Sequence, residues 1–297
     1  MNRRTFFKVV LGSLATVALP SVTAASPKPP SIEELPKQSS SSLLMFDFLD
    51  GNGPVPAHQH KNGGGWVAET ATVEESAFVG PNAWVFGQAK VSERAAIDGN
   101  AHIFQSARIS GNAHIYDDVC IFGNAEVYEN ARVSETAWIC DNAQVYGKAQ
   151  VYGDVWISKN AKVSENAHVF GKARIYENAR VSGDAQVSGD AWVYGNARVS
   201  GDAQFSGKAQ VSENAWVYGN AQLSGNAKVS RDAWVYGNAL IYGDAWVFGD
   251  ARVSDNAQVF GNTRVFGNAR VYGYTWISGD AEIYGEKQIG GNTWIKS

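Results

Sequence analysis

A six-residue repeat governs most of this 297-residue chain. From Val67 to Ile295 every sixth residue is Val or Ile, apart from Phe205 and Leu223, which gives 39 consecutive hexads without an insertion or deletion. The residue two places before these positions is Ala at 32 of 38 sites, the others being Val119, Val155, Thr263, Thr275, Lys287 and Thr293. A helix has a period of about 3.6 residues and tolerates little Gly, so this pattern excludes one. An unbroken short period of this kind indicates a solenoid.

The chemistry of one hexad explains the repeat. The β-branched residue suits a short strand and points inward, while its two neighbours point outward because side chains alternate along a strand. Gly followed by Asn or Asp supplies a corner, since these residues tolerate positive φ. Ala fits where the corner crowds the interior. The sequence therefore predicts an all-β fold, a single-stranded parallel β-helix.

The repeat also carries a family resemblance. Residues 181–186 (VSGDAQ) and their copies resemble the hexapeptide repeat of left-handed β-helix acyltransferases and γ-class carbonic anhydrases. The chain looks most like bacterial and phage proteins built of GNARVYGNA-like units, which often begin with Gly-Gly-Trp-Val, as residues 64–67 do here. Over residues 64–297 the resemblance implies a left-handed triangular solenoid of about 13 coils of 18 residues. At the usual strand spacing such a solenoid is about 60 Å long.

Four segments follow one another along the chain. Residues 1–25 place Arg3-Arg4 before a short apolar run and small residues, which predicts a twin-arginine export signal, with an ordinary secretory signal as the alternative. Residues 26–45 are rich in Pro and Ser and are expected to be a disordered tether. Residues 46–66 are expected to cap the N-terminal end, and residues 67–297 form the β-helix. The signal predicts a periplasmic or secreted protein, and its apolar run is too short for a transmembrane segment.

Charge and cysteine content exclude further classes. A formal net charge of −4 argues against nucleic-acid binding. Cys120 and Cys140 are too few for a disulfide framework. In the repeat they are expected about 8 Å apart, beyond comfortable disulfide reach, which favours free thiols and leaves intermolecular pairing open. No cofactor is expected.

Three hexads per coil stack residues 18 apart into ladders, so each face of the prism has its own composition. The first face presents an aromatic ladder: Trp66, Trp84, Phe86, Phe104, Phe122, Trp138, Trp156, Tyr176, Trp192, Tyr194, Trp246 and Phe248. The second face presents a basic ladder beside hydroxyl groups: Lys90, Arg108, Lys162, Arg180, Arg198, Arg252 and Arg270. The third face is rich in glutamine: Gln150, Gln186, Gln204, Gln222 and Gln258.

Each ladder has a functional and a structural interpretation. Outward aromatic rings form a surface for glycan rings or for self-association, or they stabilise the strands through cross-strand pairs worth roughly 0.2–1 kcal/mol each. The basic ladder fits a polyanion such as lipopolysaccharide phosphates or an acidic glycan. Alternatively, the corner carboxylates of Asp184, Asp202 and Asp250 neutralise it. The glutamines are expected to form amide hydrogen bonds along the axis.

The histidines offer little catalytic chemistry within one chain. The acyltransferase resemblance implies a catalytic histidine and a loop leaving the coils, but the 39 hexads contain no loop. His102 falls on the first face, and His114 and His168 fall on the third, without an acidic partner in sequence. The carbonic anhydrase resemblance implies three histidines converging on zinc, which these positions do not achieve. A pair in a loop, His58 and His60, does not define a site, and no metal is predicted.

The sequence therefore predicts an exported, non-catalytic structural or surface-interaction protein. Its expected partners are a polysaccharide or cell-envelope glycan on the aromatic ladder, or further copies in a homo-oligomer or end-to-end assembly. The alternative is a hexapeptide-repeat acyltransferase-like enzyme with its site between subunits.

Overall fold

The computed structural model describes residues 44–297. The predicted export signal (1–25) and nearly all of the predicted tether lie outside the described residues. Met45, the last residue of the predicted tether, lies in a strand. The chain divides into two compact units, residues 1–58 and 59–297. This boundary falls inside the segment predicted as a cap, whose capping role stays a prediction.

The described part of the first unit is a short antiparallel hairpin. Its strands are Met45–Phe46 and Val55–Gln59, with Met45 opposite Pro56. Phe46 and Phe48 pack edge to face with ring centroids 4.9 Å apart. Along residues 44–297 no helix is long and apolar enough to cross a membrane.

The second unit is a parallel β-solenoid of about 13 coils with three sheets, consistent with a triangular left-handed β-helix. The first sheet comprises Trp66–Ala68, Trp84–Val85, His102–Ile103, Cys120–Ile121, Trp138–Ile139, Trp156–Ile157, Arg174–Ile175, Trp192–Val193, Gln210–Val211, Lys228–Val229, Trp246–Val247, Arg264–Val265 and Glu282–Ile283. The second comprises Thr72–Val73, Lys90–Val91, Arg108–Ile109, Glu126–Val127, Gln144–Val145, Lys162–Val163, Arg180–Val181, Arg198–Val199, Trp216–Val217, Trp234–Val235, Arg252–Val253, Arg270–Val271 and Gln288–Ile289. The third comprises Phe78–Val79, Ala96–Ile97, His114–Ile115, Arg132–Val133, Gln150–Val151, His168–Val169, Gln186–Val187, Gln204–Phe205, Gln222–Leu223, Leu240–Ile241, Gln258–Val259, Trp276–Ser278 and Trp294–Lys296.

The coils are joined by backbone hydrogen bonds in a constant register. Each strand pairs in parallel with the strand 18 residues on, as Trp192 pairs with Gln210. The N–H of Trp192 donates to the carbonyl of Ala209 at 2.9 Å, and the N–H of Tyr194 donates to that of Val211 at 3.0 Å. Residues 18 apart therefore stack at the strand spacing of about 4.8 Å, as the family resemblance implies.

The interior contains the residues that the repeat assigns to it. The inward Val, Ile, Phe and Leu side chains and the corner alanines form one continuous buried core. Two of the Thr residues that replace Ala are also buried, Thr263 and Thr275. Each hydroxyl donates to the carbonyl three residues earlier, that of Phe260 and of Tyr272, both at 2.7 Å. A polar residue is tolerated there because its hydrogen bond is made locally.

The corners are built in two ways. In most coils a Gly adopts positive φ, as Gly195 does at 72°. In others an acidic or long polar residue takes the same backbone conformation, as Glu177 does at 63°. The Glu177 carboxylate then accepts the N–H of Gly195 in the next coil at 2.8 Å. The side chain therefore compensates for the backbone strain with a hydrogen bond between coils.

Amide ladders lie at the corners and not on the third face. At the corner between the first and second faces, hydrogen bonds of 3.0–3.2 Å from side-chain amides connect successive residues 18 apart: Asn124, Asn142, Asn160, Asn178, Asn196, Asn214 and Asp232. The glutamine prediction is wrong, since within residues 44–297 the third-face glutamines form no side-chain hydrogen bond with one another. The shorter Asn side chain at a fixed corner positions its amide against the next coil, whereas the longer Gln extends outward.

Candidate ligand-binding faces

The aromatic ladder of the first face is exposed only in part. Phe86, Phe104 and Phe122 are buried, with 2–5% of their surface exposed. They stack face to face with centroids 5.0 Å apart, so that Phe104 is covered on both faces. The expectation that these three rings form part of an open surface is therefore wrong. Trp66, Trp84, Trp138, Tyr176, Tyr194, Trp246 and Phe248 are half-buried.

Two tryptophans of the ladder remain well exposed, Trp156 at 38% and Trp192 at 39%. Both lean over the preceding coil. The Trp156 indole N–H donates to Cys140 Sγ at 3.3 Å, and the Trp192 ring packs edge to face on Tyr176 with centroids 6.3 Å apart. The Cys140 thiol is buried, which raises its pKa to about 12, so it remains a neutral acceptor. These contacts fix the orientation of both indoles.

A shallow depression of about 230 Å³ lies between these two indoles. Arg174 forms its centre, and its guanidinium lies 5.5 Å from the centroid of the Trp156 ring. Ser158 and Tyr176 complete the lining. Burial raises the pKa of Tyr176, and the neighbouring Tyr194 adds to this effect, so the hydroxyl stays protonated at neutral pH and can donate. The depression therefore combines two aromatic walls with hydrogen-bond donors.

A second depression, of about 310 Å³, adjoins the first and shares Arg174 and Trp192 with it. It extends towards the corner between the third and first faces, where Lys172, Asp190 and Lys208 line it. The exposed aromatic surface is thus bordered by charged groups of both signs.

The second face contains an aromatic pair that the sequence analysis missed. Trp216 and Trp234 lie in the same column as the basic ladder, and their rings stack 5.2 Å apart at an interplanar angle of 4°. Tyr218 and Tyr236 stack beside them at 5.0 Å. Reading every residue at the 18-residue spacing, and not only the basic ones, would have revealed the pair.

The corner carboxylates do not neutralise the basic ladder as expected. Asp184 and Asp202 lie at the corner between the second and third faces. They follow Ser182 and Ser200, which separate them from the arginine column. Asp250 lines a depression with Arg252 and Arg270, but no ion pair within 4.0 Å joins it to either. Of the basic ladder, Arg108 has an ion-pair partner within the described chain, Glu126 at 3.2 Å.

His102 and Cys120 are neighbours in register on the first face, whereas His114 and His168 lie on the third. His102 stacks on Trp84 with centroids 4.5 Å apart. His114 is exposed beside Tyr116, and His168 stacks in register between Gln150 and Gln186. Neither His114 nor His168 hydrogen-bonds a carboxylate of residues 44–297. Cys120 and Cys140 are buried and form no disulfide with each other.

His58 lies in the strand Val55–Gln59 and not in a loop as expected, and His60 follows that strand. His58 is exposed. His60 is buried, and its Nδ1 lies 3.2 Å from the carbonyl of Asn62. The described chain contains no cluster of three or more His, Cys, Asp or Glu side chains that could hold a metal ion.

Comparison with known proteins supports the solenoid. Five stretches of the chain match the family model of the YdcK Beta solenoid repeat. They are residues 173–189, 185–201, 191–207, 221–237 and 263–279. The chain is similar to the YdcK repeat over these stretches, which include Arg174, Trp192 and Trp234. No curated protein sequence matches the chain.

Three solved structures show a distant likeness. LpxA from Acinetobacter baumannii is 10% identical, with 59% of this chain and 66% of that chain covered, at a TM-score of 0.38. UDP-N-acetylglucosamine O-acyltransferase (LpxA) from Moraxella catarrhalis is 12% identical, with 72% and 71% covered, at 0.30. The Arabidopsis UDP-N-acetylglucosamine acyltransferase is 14% identical, with 69% and 72% covered, at 0.34. Likenesses at this level carry no argument about activity.

Proposed function

We propose that this protein is an exported, non-catalytic binding protein whose first face holds a glycan. The observation that carries the proposal is the depression between Trp156 and Trp192, with Arg174 at its centre. The two indoles lie two coils apart, which is about 10 Å at the strand spacing. The rise per coil along the axis is close to the length of one pyranose ring in an extended chain, so the depression suits a short run of sugars.

The chemistry of the depression favours a hydroxyl-rich ligand over a flat apolar one. The indole rings present apolar surface to the C–H face of a sugar, and Ser158, Arg174 and Tyr176 offer polar groups to its hydroxyls. The indoles are already held by Cys140 and Tyr176, so binding loses little side-chain entropy.

The charged border disfavours lateral self-association on this face. A second copy packed flat on Trp156 and Trp192 would remove Lys172, Arg174 and Lys208 from water, and burying a charge without a partner is costly. A single glycan chain leaves these groups at its margin, in contact with solvent. Export is supported by Arg3-Arg4 and the apolar run of the first 25 residues.

The alternative is an acyltransferase-like enzyme with its site between subunits. It requires a carboxylate of a neighbouring copy beside His102, His114 or His168. Sedimentation velocity on the purified chain tests this alternative, because a strict monomer excludes a site between subunits.

Retention on insoluble polysaccharides and affinity electrophoresis with soluble ones test the binding function. We expect saturable binding that falls at least tenfold when Trp156 and Trp192 are both replaced by Ala, since aromatic anchors dominate such sites. Trp276→Ala is the matched control, because Trp276 is similarly exposed (43%) but lies on the third face. Equal retention of the double variant and the parent protein would refute the proposal.

A further inference from the structure

Four side chains form a continuous stack along the second face. The guanidinium of Arg198 lies 4.6 Å from the Trp216 ring centroid, Trp216 stacks on Trp234, and the guanidinium of Arg252 lies 5.0 Å from the Trp234 centroid. The order is cation, ring, ring, cation, in four successive coils. Each guanidinium gains a cation–π contact that holds it in place.

This arrangement leaves the arginine donors available. A guanidinium stacks through its flat face, while its five N–H donors lie in the plane and point sideways. Arg198 and Arg252 are exposed. Neither donates a side-chain hydrogen bond to any residue of the described chain. The stack therefore presents two oriented, unsatisfied donor groups three coils apart, or about 14 Å.

The stack also determines what cannot bind there. Both faces of Trp216 and Trp234 are already occupied, each by the other ring and by one guanidinium. A nucleobase or a sugar ring therefore has no free indole face on which to stack. Recognition at this site must occur through the arginine edges, which fit anionic groups.

Further cations extend the site in both directions. Lys162 and Arg180 precede Arg198 in register, and Arg270 follows Arg252. Like charges directly opposite each other on neighbouring strands are destabilising, and these five cations have no ion pair within residues 44–297. The carboxylates of Asp250 and Glu286 line the same depression as Arg252 and Arg270, so the segment from Lys162 to Arg198 is the more positive end.

We propose that this column of the second face binds an acidic polysaccharide, a polymer of sugar rings that bear carboxylates, lying along the solenoid axis. Its carboxylates pair with Arg180, Arg198 and Arg252, and Trp216 and Trp234 are positioning residues that hold two of these arginines. The stack explains why tryptophans interrupt a basic ladder. The site is on a different face from the proposed glycan depression and does not depend on it.

The test uses the full chain and polygalacturonate, with fully methyl-esterified polygalacturonate as the uncharged match. We expect binding to the free acid that weakens as salt is added, and none to the ester. Replacing Arg180 and Arg198 with Gln should weaken binding at least tenfold, because each charge-assisted hydrogen bond is among the stronger ones. Arg132→Gln, on the third face, is the matched control and should bind as the parent protein does.

A second pair of variants tests the positioning role. Replacing Trp216 and Trp234 with Leu keeps all charges but frees the arginines, so binding should weaken by a few fold while its salt dependence stays the same. Equal binding of the ester, or unchanged affinity of the Arg180/Arg198 variant, overturns the proposal. Tighter binding of a single-stranded oligonucleotide than of polygalacturonate also overturns it. A variant with Trp156 and Trp192 replaced by Ala should bind polygalacturonate normally, which separates this site from the first face.

Discussion

Phe205 and Leu223 are the two inward residues that depart from the Val or Ile of the repeat, and they are neighbours in register on the third face. Both are 1% exposed. Replacing Phe205 with Val would match the repeat, and a consensus argument expects such a change to stabilise the protein. The packing argument expects the opposite.

The magnitude follows from the apolar volume removed. Phe205→Val deletes four side-chain carbons from a site surrounded by valines such as Val187, Val193 and Val199. At about 0.8 kcal/mol for each buried carbon, the transfer cost is roughly 3 kcal/mol, and the cavity term adds to it, which brings the total to about 3–4 kcal/mol. The fold itself should persist, because a coil of Val247, Val253 and Val259 already exists.

Urea denaturation followed by fluorescence measures the effect. With a slope of about 2–3 kcal/mol per molar, the midpoint should fall by roughly 1 M. Leu223→Val removes one carbon and serves as the graded control, with an expected cost of about 1 kcal/mol. Because solenoids can unfold in parts, hydrogen exchange of the Gln204 and Ser206 amides, which donate to Ala221 and Leu223, checks that the loss is local. An unchanged or raised midpoint for Phe205→Val would refute the packing argument.

Two further predictions concern the corners and the buried thiol. Glu177→Ala should lower the free energy of unfolding by about 0.5–1 kcal/mol more than Glu177→Gly does, as measured by urea denaturation. Both variants lose the hydrogen bond to Gly195, but only Ala keeps the strain of positive φ. Equal losses for the two variants would exclude this account. Cys140, in a variant with the other cysteine replaced by Ala, should react with iodoacetamide at pH 8 about a thousandfold more slowly when folded than when unfolded, since its pKa rises from 9.0 to about 12. The thiol should therefore favour folding below pH 9 and lose that contribution as pH rises from 9 towards 12; a folded-state rate equal to the unfolded one would contradict the burial.

The fold could be predicted almost entirely from the sequence. A period without insertions determines strand length, corner position and inward residue, the family resemblance implies the 18-residue stacking, and the structure confirms each of these. The roles of the corner residues were less visible. Glu177 occupies a position usually given to Gly, and its carboxylate bond to the next coil depends on a side-chain geometry that spacing does not define. The repeated presence of Glu or Asp at that position was the available signal.

The candidate sites were predicted less completely. Stacking correctly grouped Trp156 and Trp192 on one face, but Arg174, which lies between them in register, was overlooked. The stacking also could not show that Phe86, Phe104 and Phe122 are buried. Exposure depends on how each ring tilts and on what covers it, neither of which follows from a period. Trp216 and Trp234 were readable from the same spacing, but they were overlooked because the column was identified by its charge.

The uninterrupted stacking also constrains how such a chain can change. Gain or loss of one hexad keeps the core intact, since every hexad contributes an equivalent inward residue and corner. An insertion or deletion of one hexad, however, moves every later residue to the neighbouring face of the solenoid. Arg198 would then stack in the column of a different face. Only changes in whole coils keep Trp156 aligned with Trp192, or Arg198 with Arg252. Length can therefore vary freely only in steps of 18 residues, and a six-residue duplication moves the residues of each proposed binding surface to another face while the core is kept.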